Sequence, residues 1–194
     1  MKFKIYNFEK VTSTNDIAIN LIKNKKKEVG CVHAKVQTKG RGTYGKRWVS
    51  KKGNFYGSIF FPLKKNYPPF NEFSIINPVI ISSVIEKFCS KKKIEFKHPN
   101  DVMVNKKKIC GILQELITKN SRKFLIIGIG LNIVSNPRIN SKYKATNILF
   151  ETKKKPSTNK VIRLITSSYE KFFFNLNSYK YTDFKKKADF MALN

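Results

Sequence analysis

Acidic residues are scarce in this 194-residue chain: 12 Asp and Glu stand against 40 Lys and Arg, a formal net charge of +28. A surface so cationic attracts phosphate polymers without any specific contact, so a basic nucleic-acid-binding module has to be weighed. Arginine is scarce as well, confined to positions 41, 47, 122, 138 and 163. The excess is therefore nearly all lysine, accompanied by many Asn, Ile and Phe. An A/T-rich genome imposes that bias on exposed positions, which weakens the polyanion reading. Cys31, Cys89 and Cys110 are odd in number and lack paired metal-ligand spacing. They read as core thiols in a reducing compartment and argue against a disulfide framework. No segment approaches the roughly 20 apolar residues needed to span a bilayer. Met1-Lys2-Phe3-Lys4-Ile5 alternates charged and apolar side chains and lacks the apolar core of a secretory signal. What remains is one folded domain, expected in the cytoplasm, with 41% hydrophobic and 13% aromatic residues.

Two of the five arginines fall in one glycine-rich basic segment, Gln37-Thr38-Lys39-Gly40-Arg41-Gly42-Thr43-Tyr44-Gly45-Lys46-Arg47-Trp48. A guanidinium fork grips phosphate or carboxylate oxygens with two parallel bonds, whereas lysine acts as a point charge. A second segment runs Lys97-His98-Pro99-Asn100-Asp101, then Lys108, then Gly111-Ile112-Leu113-Gln114-Glu115. It sets an amide and a carboxylate on a turn just before a hairpin whose second strand opens with a lysine. Together the two segments suggest an enzyme that activates a small acid with a nucleotide.

Ser13-Thr14-Asn15 precedes apolar positions at helical spacing (Ile17, Ala18, Leu21, Ile22) and reads as the cap of a first helix ending in Lys25-Lys26-Lys27. Segments 31–37 and 54–61 read as strands that deliver and leave the glycine-rich segment. Over 71–89 the apolar residues share one helical face, with Pro78 expected to kink that helix or mark its start. Segments 94–97, 101–105, 108–117 and 122–133 read as successive strands. Polar turns at Asn105-Lys106-Lys107 and Lys119-Asn120-Ser121 make them an antiparallel meander. Gly128 and Gly130 either let a flat ligand lie against the last strand or mark a bulge. Val161, Ile165, Tyr169, Phe172 and Leu176 form the stripe of a further helix, and 184–191 reads as a last helical piece.

In this order the motifs resemble the catalytic domain of biotin protein ligases: Ser13-Thr14-Asn15, the segment from Gln37 to Trp48, Lys97 to Glu115, and Gly128-Ile129-Gly130-Leu131-Asn132. The resemblance covers nearly the whole chain. It implies an α+β fold, a mixed, mostly antiparallel sheet flanked by helices. It also implies a single catalytic domain, 1–194, with neither the DNA-binding domain nor the β-barrel domain that accompany it in many members. The implied reaction joins biotin and Mg-ATP into biotinyl-5′-adenylate, which then acylates a lysine of the biotin carboxyl carrier domain of a biotin-dependent carboxylase. No specific DNA binding or membrane attachment is expected, and a homodimer is an open possibility.

By position the resemblance makes Lys108 and Arg41 the catalytic cations. It puts Ser13, Thr14, Asn15, Gln37, Arg41, Gly42, Thr43, Lys108, Gly111 and Gly130 around biotin. Gly40, Lys46, Arg47, Trp48, Asn100 and Asn132 would surround ATP, and Asp101 would help with magnesium. Thr43 and Lys46 stand where the family usually has further loop arginines, and His98 where it has Trp. The competing readings are a lipoate or octanoate ligase or transferase of the same superfamily, and the basic nucleic-acid-binding module.

Overall fold

The structure, a computed structural model, describes residues 1–137 and 144–193. Strand β1 (Ile5–Val11) runs into helix α1 (Thr14–Lys25), which returns the chain to β2 (Gly30–Gln37). Because the chain crosses over through a helix, β1 and β2 pair in parallel, and every other pairing in the sheet is antiparallel. The chain then forms β3 (Phe55–Pro62), α2 (Phe73–Glu86), β4 (Ile94–Lys97), β5 (Asp101–Val104), β6 (Lys107–Lys119) and β7 (Arg122–Leu131). Helices α3 (Ile148–Thr152), α4 (Thr158–Phe174) and α5 (Tyr181–Phe190) follow. The seven strands lie in the order β1-β2-β3-β7-β6-β5-β4, which is the mixed, mostly antiparallel α+β sheet expected.

All eight residues of β3 are buried, as a central strand covered on both faces requires. On one face Phe60, Phe124 and Ile126 pack with Val32 and with Ala18 and Ile22 of α1. On the other, Phe55, Ile59, Phe61, Leu125, Ile127 and Ile129 meet α2 and α4 through Phe73, Ile76, Ile80, Tyr169 and Phe172. The turns Asn105-Lys106 and Asn120-Ser121 place both residues at positive φ. This is the two-residue geometry that matches strand twist in a hairpin and tolerates Asn at its first position. The meander therefore has the predicted connections.

The differences from the sequence reading have local causes. Strand β1 was not anticipated, because IYNFEKV mixes charge and apolar residues without strict alternation and sits on the sheet edge. Helix α2 begins five residues before Pro78, runs through it and ends at Glu86. Leu176 lies past α4 in a separate 3-10 turn. The short helix α3, capped by Asn147, was not read at all. Among the described residues no helix is long and apolar enough to cross a membrane. All three cysteines are free and buried, and burial pushes the Cys31 thiol up to about 12 and Cys89 up to about 11.

His33 of β2 is buried against the Phe55 ring, 5.4 Å between centroids, with Nδ1 3.1 Å from Asn7 Oδ1. Its Nε2 is buried and has no hydrogen-bond partner among the described residues. Burial lowers its pKa below 6.5, and the positive charge of Lys35 lowers it further. The unfolded chain therefore binds this proton more readily than the native one. Stability from the neutral imidazole is complete above about 6.5 and is lost as pH falls toward the depressed native value. Thermal melts should show Tm dropping across that window, with the drop flattened in His33→Gln. An unchanged slope in the variant would remove His33 as its cause.

Candidate active site

The site forms where two strands lack side chains. Gly111 of β6 faces Gly130 of β7, and Gly128 lies two residues along β7. All the pairings of β7 with β3 and β6 keep one continuous register here, so the glycines mark no bulge. They make room. A Cβ on Gly111 would stand 2.6 Å from Trp48 Cζ3, and one on Gly130 would stand 2.6 Å from Trp48 Cζ2. A Cβ on Gly128 would meet Asn15 Oδ1 at 2.5 Å. The flat group lying on this backbone is thus the chain's own indole, and the hollow beside it takes the first turn of α1.

The glycine-rich segment closes as a small hairpin. Gly42 N–H donates to Lys46 C=O, Trp48 N–H donates to Gly40 C=O, and Arg41 bridges Arg47. Tyr44, at its tip with φ 55°, is 88% exposed. Arg41 does not end free: it donates to both oxygens of Glu115 at 2.7 and 2.8 Å and to Asp16 at 2.7 Å. Burial works against its charge, but the two carboxylates outweigh this and raise its pKa. Lys108, although it opens a hairpin strand, is only 24% exposed in its side chain. Its Nζ pairs with Asp101 at 2.7 Å and stands 5.2 Å from the Trp48 ring centre.

A cavity of about 510 Å³ opens between α1, the hairpin and the glycine strip. Ser13, Thr14, Asn15, Gln37, Arg41, Gly42, Thr43, Lys46, Arg47, Trp48, Asn100, Asp101, Lys108, Gly111, Gly130 and Asn132 all line it. Of the residues the resemblance assigns to biotin, ATP or magnesium, Gly40 alone does not. A Cβ there would stand 2.5 Å from the Trp48 carbonyl oxygen, so its place is a packing requirement of the hairpin.

Several wall residues already have partners. Gln37 Oε1 accepts from the Thr14 N–H at 2.8 Å, and Gln37 Nε2 donates to Ser50 at 2.9 Å. Asn15 Nδ2 donates to Glu115 at 2.6 Å. Asn100 Nδ2 donates to Thr43 Oγ1 and Ile112 C=O, and Asn132 Nδ2 donates to Thr146 C=O. Ser13 is the N-cap residue of α1, yet its side chain makes no capping bond. Trp48 Nε1 is buried without an acceptor among the described residues. His98 is exposed and touches the edge of Phe96. Asp16, Ser50 and Ser58 were not anticipated, since an isolated serine or aspartate carries no periodic signal.

Residues 7–132 match the sequence profile of the biotin/lipoate A/B protein ligase family. The chain belongs to this family. Among curated relatives it is 29% identical over 192 residues to the bifunctional ligase/repressor BirA of Bacillus subtilis, covering 94% of this chain and 58% of that protein. To the BirA of Escherichia coli it is 31% identical over 125 residues, 63% of this chain and 38% of that protein. The chain thus spans between 38% and 58% of the length of these two relatives. The fold matches the biotin protein ligase from Aquifex aeolicus in complex with biotin and ATP, with TM-score 0.78, 25% identity and coverage of 98% of this chain and 78% of that one. The Leishmania major biotin protein ligase in complex with biotinyl-5-AMP gives TM-score 0.78 at 26% identity, covering 98% and 81%. The sheet and its helices therefore form the biotin protein ligase catalytic-domain fold.

In this member of the family the glycine strip should be intolerant of any side chain. Gly130→Ala should displace the indole, red-shift the emission of Trp48, the single tryptophan, and cost about 1–3 kcal/mol by overpacking. Unchanged emission and denaturation midpoint would show that the indole does not depend on that hollow.

Proposed function

We propose that this chain activates biotin with ATP and transfers it to a lysine of a biotin carboxyl carrier domain. The observation that carries the reading is the convergence of Lys108, Arg41 and a buried indole N–H, with no acceptor among the described residues, on one cavity floored by paired glycines. A free carboxylate is a poor acylating agent, and its attack on a phosphate brings two anions together. Fixed cations where that charge gathers are the main catalytic device for such a step.

In the first half-reaction a biotin carboxylate oxygen bonds to the α-phosphorus of ATP, the bond to the β-phosphate bridge breaks, and pyrophosphate leaves. Lys108 neutralises the oxygens of the entering carboxylate and the α-phosphate, and Arg41, still held by Glu115, exchanges Asp16 for the same group. Both cations are held by protein carboxylates beforehand. In the second half-reaction the carrier lysine amine bonds to the acyl carbon, the acyl–phosphate C–O bond breaks, and AMP leaves. The apolar floor suits either acid, while the Ser13 hydroxyl, which makes no capping bond, can meet the ureido edge of biotin, a polar group that an octanoyl chain lacks. Thr14, Asn15 and Gln37 shape that wall, and Gly42 and Thr43 close it. Lys46, Arg47, Asn100 and Asn132 surround the nucleotide end.

Among the described residues Asp101 is the one carboxylate on the cavity wall, and no three acidic, His or Cys side chains cluster to cage a metal. This fits magnesium, which is commonly held by one or two carboxylates with the rest of its shell from water and substrate phosphates. Bound there, it would neutralise phosphate charge. The carrier as partner belongs to the same proposal.

Lys108→Gln keeps a donor for Asp101 while removing the charge. It should lower biotin-dependent exchange of labelled pyrophosphate into ATP by about 100-fold or more, the effect of losing a group that stabilises charge in the transition state. The circular dichroism spectrum should not change. Near-normal exchange would remove Lys108 from the chemistry. Exchange in the wild type driven by lipoate and not by biotin would replace the substrate assignment.

A further inference from the structure

Ser58 occupies the middle of β3, opposite Val32 on β2 and Gly128 on β7. Its side chain has no exposure, and it stands apart from the cavity wall. Apart from Tyr56 it is the only polar side chain in FYGSIFFP. A hydroxyl in such a place destabilises the fold unless it is hydrogen-bonded. Ser58 Oγ lies 2.5 Å from Asn15 Oδ1 and 2.7 Å from Thr14 Oγ1. Asn15 Nδ2 already donates to Glu115, so Asn15 Oδ1 can only accept, and the single Ser58 proton satisfies it. The missing side chain at Gly128 lets Asn15 descend to that contact.

From this joint hydrogen bonds run both ways. On one side Asn15 holds Glu115, which takes two N–H groups of Arg41. On the other, the Thr14 hydroxyl donates to Ser58 Oγ, the Thr14 N–H donates to Gln37 Oε1, Gln37 donates to Ser50, and Ser50 donates to the Trp48 carbonyl at 3.2 Å. Arg41 and Trp48 are the two legs of the glycine-rich hairpin. One buried hydroxyl thus lies at the centre of a belt that begins at one leg and ends at the other.

We propose that Ser58 is a positioning residue for acid activation: it fixes Arg41 through Asn15 and Glu115, and the Trp48 leg through Thr14, Gln37 and Ser50. The proposal rests on the ligase reading above for its catalytic consequence, while its structural half stands without it. Loss of the hydroxyl leaves Asn15 Oδ1 without a donor and frees the amide to turn. Glu115 then loses its second partner, and Arg41 is no longer held at one place.

The test compares Ser58→Ala with Thr166→Ala, a buried hydroxyl on α4 bonded within its own helix and outside the belt. The first readout needs no activity: acrylamide quenching of Trp48 in the ligand-free protein. Its quenching constant should rise at least twofold in Ser58→Ala and stay at the wild-type value in Thr166→Ala. The second is biotin-dependent pyrophosphate exchange, where kcat should fall about tenfold with KM for ATP and biotin changed less than threefold. Combined with Glu115→Gln, Ser58→Ala should add less than a further twofold loss, since both cut the same belt.

Wild-type quenching and kcat in folded Ser58→Ala would overturn the proposal, as would equal effects from Thr166→Ala. If Ser58→Ala does not fold, Ser58→Cys, close in volume and a weak donor, carries the same two readouts. If the wild type exchanges pyrophosphate with neither biotin nor lipoate, the ligase reading and the catalytic half fall. The quenching result still decides whether Ser58 fixes the hairpin.

Discussion

The constraint on which the site depends is the absence of three Cβ atoms from one face of two neighbouring strands. Gly111, Gly128 and Gly130 leave a trough in a sheet face that is otherwise filled by Phe60, Phe124 and Ile126 against α1. Trp48 enters at one end of the trough and Asn15 at the other. Those insertions decide where the glycine-rich hairpin lands, how the first turn of α1 meets the sheet, and how the cavity between them is shaped. A methyl group at any of the three positions would meet an atom of these two residues at 2.6 Å or less, which interiors packed to crystal-like density do not absorb without movement.

Charge is organised around the same trough. In a chain with 40 basic residues, Arg41 and Lys108 each have carboxylate partners near the cavity. Most surface lysines gain little from such pairs, whereas these two are partly shielded and bonded at 2.7 Å. Pairing before substrate arrives holds each cation at a fixed point. It also sets a condition on any anion that enters, which has to offer the guanidinium or ammonium at least what Asp16 or Asp101 already provides.

How much of this was legible in the sequence depended on whether the feature repeats or stands alone. The hairpin turns at Asn105-Lys106 and Asn120-Ser121 and the apolar stripe of α4 from Val161 to Phe172 leave periodic or positional marks, and the structure has those turns and that helix where the marks point. The strand β1 left none, because edge strands tolerate charge on both faces. Gly128 and Gly130 were legible as a gap, but not as a gap for which residue: Trp48 is more than 80 positions away along the chain from Gly130, and only the pairing of β6 with β7 brings Gly111 into line. The partners of Arg41 were hidden for the same reason, since Asp16, Arg41 and Glu115 meet only after the crossover through α1. Ser58 carried no signal whatever. A single serine among Phe, Ile and Gly reads as packing until its neighbours across the sheet are known.

The central claim is that the cavity over the glycine strip makes an activated biotin and passes it to a carrier lysine. Its most direct test is the intact mass of a biotin carboxyl carrier domain incubated with this chain, magnesium, ATP and either biotin or lipoate. The account predicts one biotinyl group on one lysine, formed only when ATP and biotin are both present. An unmodified carrier under those conditions, or a lipoyl adduct in place of the biotinyl one, would contradict it.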